Sequence, residues 1–261
     1  MIEIKNVISK EKIEKLRANY NNTLTTPIDG YWEKVVIGNS ACYEISYNKK
    51  IIGHFSVNAH KTLVEFYILK EYYTYSQEIF KYIIKSDMIE DAAVSTKQSE
   101  FLSLCLDFQK SVYVSSYLFT DTENKKYELD HYENISFRLA KKSDIQAINI
   151  KCEQRPRGYY EELIENGQLF VLYEGDILLG IGEFRISKTH HGQYGDIGMI
   201  VAEEHRRKGV GTYIIIQLKE HCYKKNIKPM ASCDSKNIAS INTLIKAGFI
   251  SDHRIIYVRF N

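Results

Sequence analysis

The sequence predicts an α/β protein in which one layered fold, a mixed central sheet flanked by helices, occurs twice in tandem. Three observations predict it. Strand-like and helix-like segments alternate through residues 135–261 in the order β-α-α-β-β-β-α-β-α-β. Residues 41–120 repeat the β-β-β-α-β-α-β part of that order. A polar, charged stretch, TDTENKKYELDHYEN at 120–134, separates the two runs. The expected domains are residues 1–130 and 131–261. A single large domain is the alternative, because the repeat rests on element order alone.

In the first half, CYEISYNKKIIGHFSVN (42–58) has a hairpin pattern about a turn near Asn48-Lys49-Lys50, and TLVEFYIL (62–69) is a further strand. YTYSQEIFKYIIKS (73–86) has helical spacing, DAAVST (91–96) is strand-like, SEFLSLCLDF (99–108) helical and SVYVSSYLF (111–119) a strand. In the second half, ISFRLA (135–140) alternates as a strand, and KKSDIQAINIKCEQ (141–154) is a helix with Ser143 or Asp144 as its cap. After the Pro156 break, GYYEELIEN is a short helix. QLFVLYEG and ILLGIGEFRIS form two strands turning at Gly175-Asp176, and YGDIGMIVAE gives a third. The next helix sets Tyr213, Ile214, Leu218 and Cys222 on one face. KPMASCD, NIASINTLIKAG and ISDHRIIYVRF complete the order as strand, helix and strand.

At 261 residues and 44% hydrophobic composition, the chain can bury a full core or two smaller ones without a metal or disulfide staple. The formal net charge of +2 gives no reason to expect a nucleic-acid partner. No apolar run approaches the roughly 18 residues that span a bilayer. The first turns, MIEIKNVISKEKIEKL, are charged throughout, unlike a signal peptide, so no membrane partner and a cytoplasmic location are expected. Five scattered cysteines without CxxC spacing argue against a disulfide framework or a structural zinc site. His190-His191 lies in a loop, KTHHGQYG, with too few neighbouring ligands for a metal, and none is expected. The composition is rich in tyrosine, 20 against one tryptophan.

One turn stands out. HRRKGVG (205–211) places three consecutive cations and two glycines directly before a helix. A helix N-terminus presents unpaired amides and the positive end of the dipole, which favours an anion there. Glycines leave the amides open to approach. Arg206, Arg207 and Lys208 at that end oppose the dipole unless an anion offsets them, so a phosphorylated ligand is expected; a solvated basic turn is the alternative. The spacing RxxGxG excludes a Walker A loop, which needs GxxxxGK before Ser or Thr, and a GxGxxG dinucleotide fingerprint.

VAEEHRRKGVG (201–211) resembles the acyl-CoA pyrophosphate loop of the GCN5-related N-acetyltransferase (GNAT) superfamily, with Arg206, Gly209 and Gly211 at its defining places. NIASINTLIKAGF (237–249) resembles the second cofactor motif of that superfamily through Asn237, Ser240, Gly248 and Phe249. The resemblance covers 135–261 well and 41–120 as a degenerate copy. It implies tandem GNAT-like folds and transfer of an acetyl group from acetyl-CoA to a primary amine. By the same resemblance, Met199, Ile200 and Val201 would bind the pantetheine arm along a splayed strand. The amides of Arg207, Lys208, Gly209, Val210, Gly211 and Thr212 would hold the pyrophosphate. Asn237 would lie beside the arm, and Ser240 would keep its helix face small; a plain helix cap fits Asn237 as well. The first half reads LKEYYTYSQ at the loop position, with no glycine and bulky tyrosines, so no cofactor is expected there. Walling the acceptor cleft, aromatic contacts or a homodimer interface are its expected tasks.

Amine acetylation needs a base for the attacking ammonium and a proton for the leaving thiolate. Many members carry a tyrosine acid seven residues after the motif asparagine; that place here is Leu244. Tyr257 is the remaining candidate acid, with a packed core position as its alternative. Asp196 and Glu183 are the candidate bases: alternation puts Asp196 on one side with Gly198 and Ile200, and Glu183 interrupts an apolar strand where a charge needs a partner or a purpose. Polyamines, aminoglycosides, amino-acid-like amines and protein N-termini all fit a polar cleft, and a first domain over the cleft favours a small-molecule amine. A non-catalytic acyl-CoA-binding or sensing protein and a phosphate-binding regulatory domain are the alternative functions.

Overall fold

The computed structural model describes residues 1–122, 126–129, 132–187 and 192–260. Contacts divide the chain into two compact units: Met1–Tyr117 with residues 253–261, and Leu118–Asp252. The expected division at 130/131 therefore differs from the one that packing makes, which assigns residues 118–130 to the second unit and the chain end to the first. The difference comes from where two long strands find their partners, which local sequence does not encode.

In the first unit, β1 (Ile2–Val7) pairs antiparallel with β2 (Ala41–Tyr47), preceded by α1 (Lys10–Asn21) and a π-helical turn at Trp32–Ile37. The sequence gives these first elements little signal, since α1 is strongly charged and buries only Tyr20. β2 turns into β3 (Lys50–Val57) through Asn48 and Lys49, whose φ values of 48° and 66° suit a tight hairpin. β4 (Thr62–Ile68) follows, then a 3-10 turn at Lys70–Tyr75, α2 (Ser76–Ile84), β5 (Asp91–Ser95) and α3 (Ser99–Asp107). The strand order is β1-β2-β3-β4-β5-β12, where β12 (Phe249–Arg259) contributes its last residues, Ile255↔Ser95 to Arg259↔Asp91. The core joins Phe55, Leu63, Ile79, Phe80, Ile83, Phe101 and Val258. Ile79, Phe80, Ile83 and Ile84 meet it because they fall one helical turn apart on α2.

In the second unit, β6 (Ser111–Asp121) supplies its end. β7 (Ile135–Leu139), α4 (Ile145–Lys151), α5 (Tyr159–Glu165), β8 (Leu169–Glu174), β9 (Ile177–Ile186) and β10 (Tyr194–Val201) follow. α6 (Val210–Lys224), β11 (Lys228–Asp234) and α7 (Ile238–Lys246) complete it, in the strand order β6-β11-β10-β9-β8-β7. β7 through β10 are antiparallel, and β10 pairs parallel with β11. α6 lies close on β9 because Gly180 and Gly182 carry no side chains: a Cβ on either would stand 2.9–3.0 Å from Ile214 or Leu218. Asp144 does not cap α4 with its side chain. Its carboxylate turns back to accept from the Lys141 amide at 2.7 Å and from both terminal nitrogens of Arg138 at 2.8 and 2.9 Å. A bidentate guanidinium is the stronger partner for a buried carboxylate. Among the described residues, no helix is long and apolar enough to cross a membrane, and no group of three His, Cys, Asp or Glu could hold a metal ion. His190-His191 lies outside the described residues.

Candidate functional site

Pairing between β10 and β11 stops early. The register runs Tyr194↔Lys228, Gly195↔Pro229, Asp196↔Met230 and ends there, although β10 continues to Val201 and β11 to Asp234. On its other side β10 stays paired with β9 through Val201↔Gly180. One edge of β10, from Ile197 to Val201, thus keeps its backbone groups for another partner. A cavity of about 960 Å³ opens along it. Met199, Ile200, Val201, Arg206, Arg207, Gly209, Gly211, Thr212, Asn237 and Ser240 line it, with Glu153, Ile238, Ala239, Asn242, Thr243 and Lys246. Lys208 and Val210 do not: the Lys208 side chain is exposed and Val210 is buried in the core.

The turn into α6 shapes one end of the cavity. After a 3-10 turn at Glu203–His205, Arg207 takes φ +63° and Gly209 φ +86°, two left-handed residues in three, so the chain reverses sharply before Val210. A Cβ on Gly209 would collide with the hydroxyl of Tyr127, which also takes a hydrogen bond from Lys246 Nζ at 3.1 Å. Among the described residues no side-chain cap bond closes the start of α6, whose N-cap, Gly209, has no side chain. Arg206, Arg207 and Lys246 make this end positive.

α7 forms the opposite wall. Asn237 is its N-cap, with Oδ1 accepting from the Ser240 amide at 3.1 Å, and it also lines the cavity, so the capping and lining roles coincide. Burial raises the Cys233 thiol pKa, and the Ser240 side chain beside it works the other way. Ala239, Asn242, Thr243 and Lys246 form one stripe at i, i+3, i+4 and i+7. That spacing was present in the sequence, and it is the signal by which Lys246 could have been found. Leu244 lies off the stripe and is buried.

On the sheet face that carries Gly198 and Ile200 lies a second cluster. Cross-strand register sets Glu183 opposite Gly198 and Arg185 opposite Asp196. Glu183 and Asp196 are only 8% and 7% exposed. Arg185 Nη2 donates to Glu183 Oε2 at 2.5 Å and to the Tyr159 hydroxyl at 2.6 Å, and that hydroxyl donates to Glu183 at 3.1–3.2 Å. Burial raises the Tyr159 phenol pKa, and the Glu183 charge adds to it. For Arg185 burial works downward, but Glu183, Tyr159 and Asp196 together hold it above its ordinary value. A Cβ on Gly198 would meet nothing within 4 Å, so the strand is open beside this cluster. Arg185 and Tyr159 escaped the sequence reading. Alternation with Glu183 could have found Arg185, whereas Tyr159 reaches the cluster only through tertiary packing. Tyr257 is not among the cavity's lining residues: it belongs to the first unit, where it pairs with Ala93 and stacks on Tyr113 at 5.4 Å. The reason is the course of β12, whose later residues join β5.

An uncapped helix N-terminus, a positive rim and an unpaired strand edge in one cavity can hold an elongated anion by its phosphates and its amide-bearing arm. A family model described as Acetyltransferase (GNAT) domain matches residues 9–122, and one described as Acetyltransferase (GNAT) family matches residues 136–249. No curated protein matches the chain. Among solved structures, an acetyltransferase of the GNAT family from Colwellia psychrerythraea is 27% identical with TM-score 0.89, covering 99% of this chain and 100% of its own. A tandem GNAT protein from the clavulanic acid biosynthesis pathway is 10% identical with TM-score 0.64, covering 98% and 97%. A GCN5-related N-acetyltransferase from Sphaerobacter thermophilus is 12% identical with TM-score 0.59, covering 98% and 94%. The last two share the fold. With a GNAT match over each half and a full-length GNAT relative, the chain belongs to the GNAT superfamily as a tandem member and is an acetyl-CoA-dependent N-acetyltransferase.

Proposed function

We propose that the second unit holds the working cofactor site, that the first is a degenerate copy without one, and that the acceptor is a small-molecule amine in the cytosol. One observation carries the site assignment: the uncapped start of α6 opens into the same cavity as the unpaired edge of β10. The residues fit the cofactor. Gly209 and Gly211 both line the cavity, and close packing admits no side chain at either, since a Cβ would meet Tyr127 at Gly209 and Val201 at 3.3 Å at Gly211. In this reading the amides from Arg207 to Thr212 hold the pyrophosphate, with Arg206, Arg207 and Lys208 as its counter-charge. Met199 to Val201 bind the pantetheine arm by their backbone, and Asn237 and Ser240 flank it.

Acetyl-CoA, when bound, supplies an acetyl group activated as a thioester. The chain supplies orientation and proton transfer. Asp196 and Glu183 stand beside the open strand position at Gly198, and either accepts the ammonium proton through water, freeing the amine for direct attack. Arg185 fixes the position of the Glu183 carboxylate through their ion pair. Leu244 cannot act as an acid, and Tyr257 serves the packing of its own unit, so water returns the proton to the departing sulfur. In the first unit, the turn before α2 carries Glu71, Tyr72, Tyr73 and Tyr75 where the second carries Arg206, Arg207 and Gly209, which leaves neither the charge nor the room for a pyrophosphate.

The test is calorimetric titration with acetyl-CoA and 3′-dephospho-CoA, on the protein and on Gly209→Trp. Micromolar binding that the variant abolishes supports the site. Binding untouched by the variant moves the cofactor elsewhere.

A further inference from the structure

The first unit repeats the opening without repeating its charge. β4 and β5 pair only at Thr62↔Asp91 and Leu63↔Ala92, so the later residues of β4 border a gap as those of β10 do. This gap is a cavity of about 470 Å³. α3 and α7 are both nine residues long and follow equivalent strands; aligned end to end, Glu100 stands where α7 has Ala239, and Asp107 where α7 has Lys246. A site suited to phosphates is replaced by one whose exposed charges are carboxylates.

The walls are aromatic. Tyr20, Tyr67 and Tyr73 line the cavity with Phe66 and Phe101. The Tyr20 and Tyr67 rings are 6.0 Å apart at 56°, an open pair rather than a closed stack, and buried Gln98 fixes the Tyr20 hydroxyl. Burial raises the Tyr73 phenol pKa, and Glu100 and Tyr67 raise it further, which marks this corner as electronegative. Asp107 Oδ2 accepts from Gln77 Nε2 at 2.9 Å and closes one side. Lys97, the cation of the lining, donates to the Pro27 carbonyl at 2.7 Å. Aromatic faces carry negative potential and attract ammonium groups, most strongly where water is excluded.

The geometry points to a second ligand site within the first unit that takes a small organic cation, its ammonium among Tyr20, Tyr67 and Tyr73 and facing Glu100 and Asp107, its apolar part on Phe66 and Phe101. Such a site responds to the chemical class the enzyme acetylates without performing transfer. It does not depend on where the cofactor binds.

The experiment titrates the intact chain, with acetyl-CoA present in excess, with choline, phenethylamine and spermidine, and with 3,3-dimethylbutan-1-ol as the uncharged counterpart of choline. Binding is read by calorimetry and tyrosine fluorescence. At least one cation is expected to saturate one site per chain, and choline to bind about tenfold or more tighter than the alcohol. Glu100→Gln with Asp107→Asn, both exposed positions, and separately Tyr73→Leu, are each expected to weaken the bound cation about tenfold while acetyl-CoA affinity stays unchanged. Absence of saturation by all three cations below about 10 mM overturns the proposal. So does equal affinity for choline and the alcohol, indifference to the variants, or a second equivalent of acetyl-CoA bound per chain and weakened by Tyr73→Leu.

Discussion

At Gly209 the left-handed φ of +86° and the Tyr127 hydroxyl both exclude a side chain. Gly209→Ala is therefore expected to lower the melting temperature by a few degrees, from roughly 1 kcal/mol of backbone strain, and to weaken acetyl-CoA binding about tenfold. Differential scanning fluorimetry and calorimetry read the two effects separately. Glu183→Gln is expected to lower kcat about 100-fold with little change in KM for acetyl-CoA, read by steady-state kinetics. If kcat survives in Glu183→Gln and falls in Asp196→Asn, Asp196 is the base. Leu244 occupies the place where the family resemblance implies a tyrosine acid, and its side chain is buried away from the cavity. Leu244→Tyr is expected to destabilise the protein by about 1–3 kcal/mol through overpacking and to give no gain in kcat; a gain would show that the helix presents this position to the site. Residue identity thus gave the basic, glycine-bearing loop, and alternation along one strand carried a sign of Arg185 beside Glu183, whereas Tyr159 comes from another segment and had no local signature.

Among the elements, α4 is held at its start by one carboxylate. The Arg138 guanidinium keeps the Asp144 carboxyl down at about 2, against an ordinary value of 3.8, with the Lys141 amide and the Tyr173 hydroxyl adding to the effect. Because the folded pKa is the lower one, the stabilisation is fully present above pH 4 and is lost as pH falls toward 2. The contribution is about 1–2 kcal/mol once solvent screening is allowed for. Asp144→Asn is expected to lose that amount at neutral pH and to show a flatter loss of stability between pH 4 and 2, measured by urea unfolding across that range. The sequence offered Ser143 or Asp144 as the helix cap because capping is a local pattern; Asp144 does stand at the cap position of α4, but its carboxylate takes Arg138 of the preceding strand as its partner. The periodicity of α6 and α7 and the cap position of Asp144 were readable because each depends only on residues within a turn or two, whereas the side-chain partner of Asp144 does not. The early end of the β10–β11 pairing, which makes the cavity, had no such local sign.

At the scale of the whole molecule, the chain end is part of the first unit's core. Val258 is fully buried in the cluster with Phe80 and Ile83, and Ile255 to Arg259 pair with β5. Deleting residues 253–261 is expected to unprotect β5 amides in hydrogen exchange while β8 and β9 keep theirs. Equal loss in both units would show that they unfold as one. In the second unit, Lys219 is 1% exposed inside α6, paired with Asp121 at 2.6 Å and donating to the Ala247 carbonyl at 2.8 Å. A charge so deeply placed is tolerated because both partners arrive from distant segments. By itself the sequence determined the class, the repeated order of elements and the basic, glycine-bearing turn, because apolar spacing, glycines and charge act over a few residues, and its two motifs carried the resemblance to acetyltransferases. Tertiary structure alone decided where the units divide, which carboxylates share a guanidinium and where two parallel strands part. Each of these depends on register and packing between residues far apart in the chain, whose free energies no local pattern records.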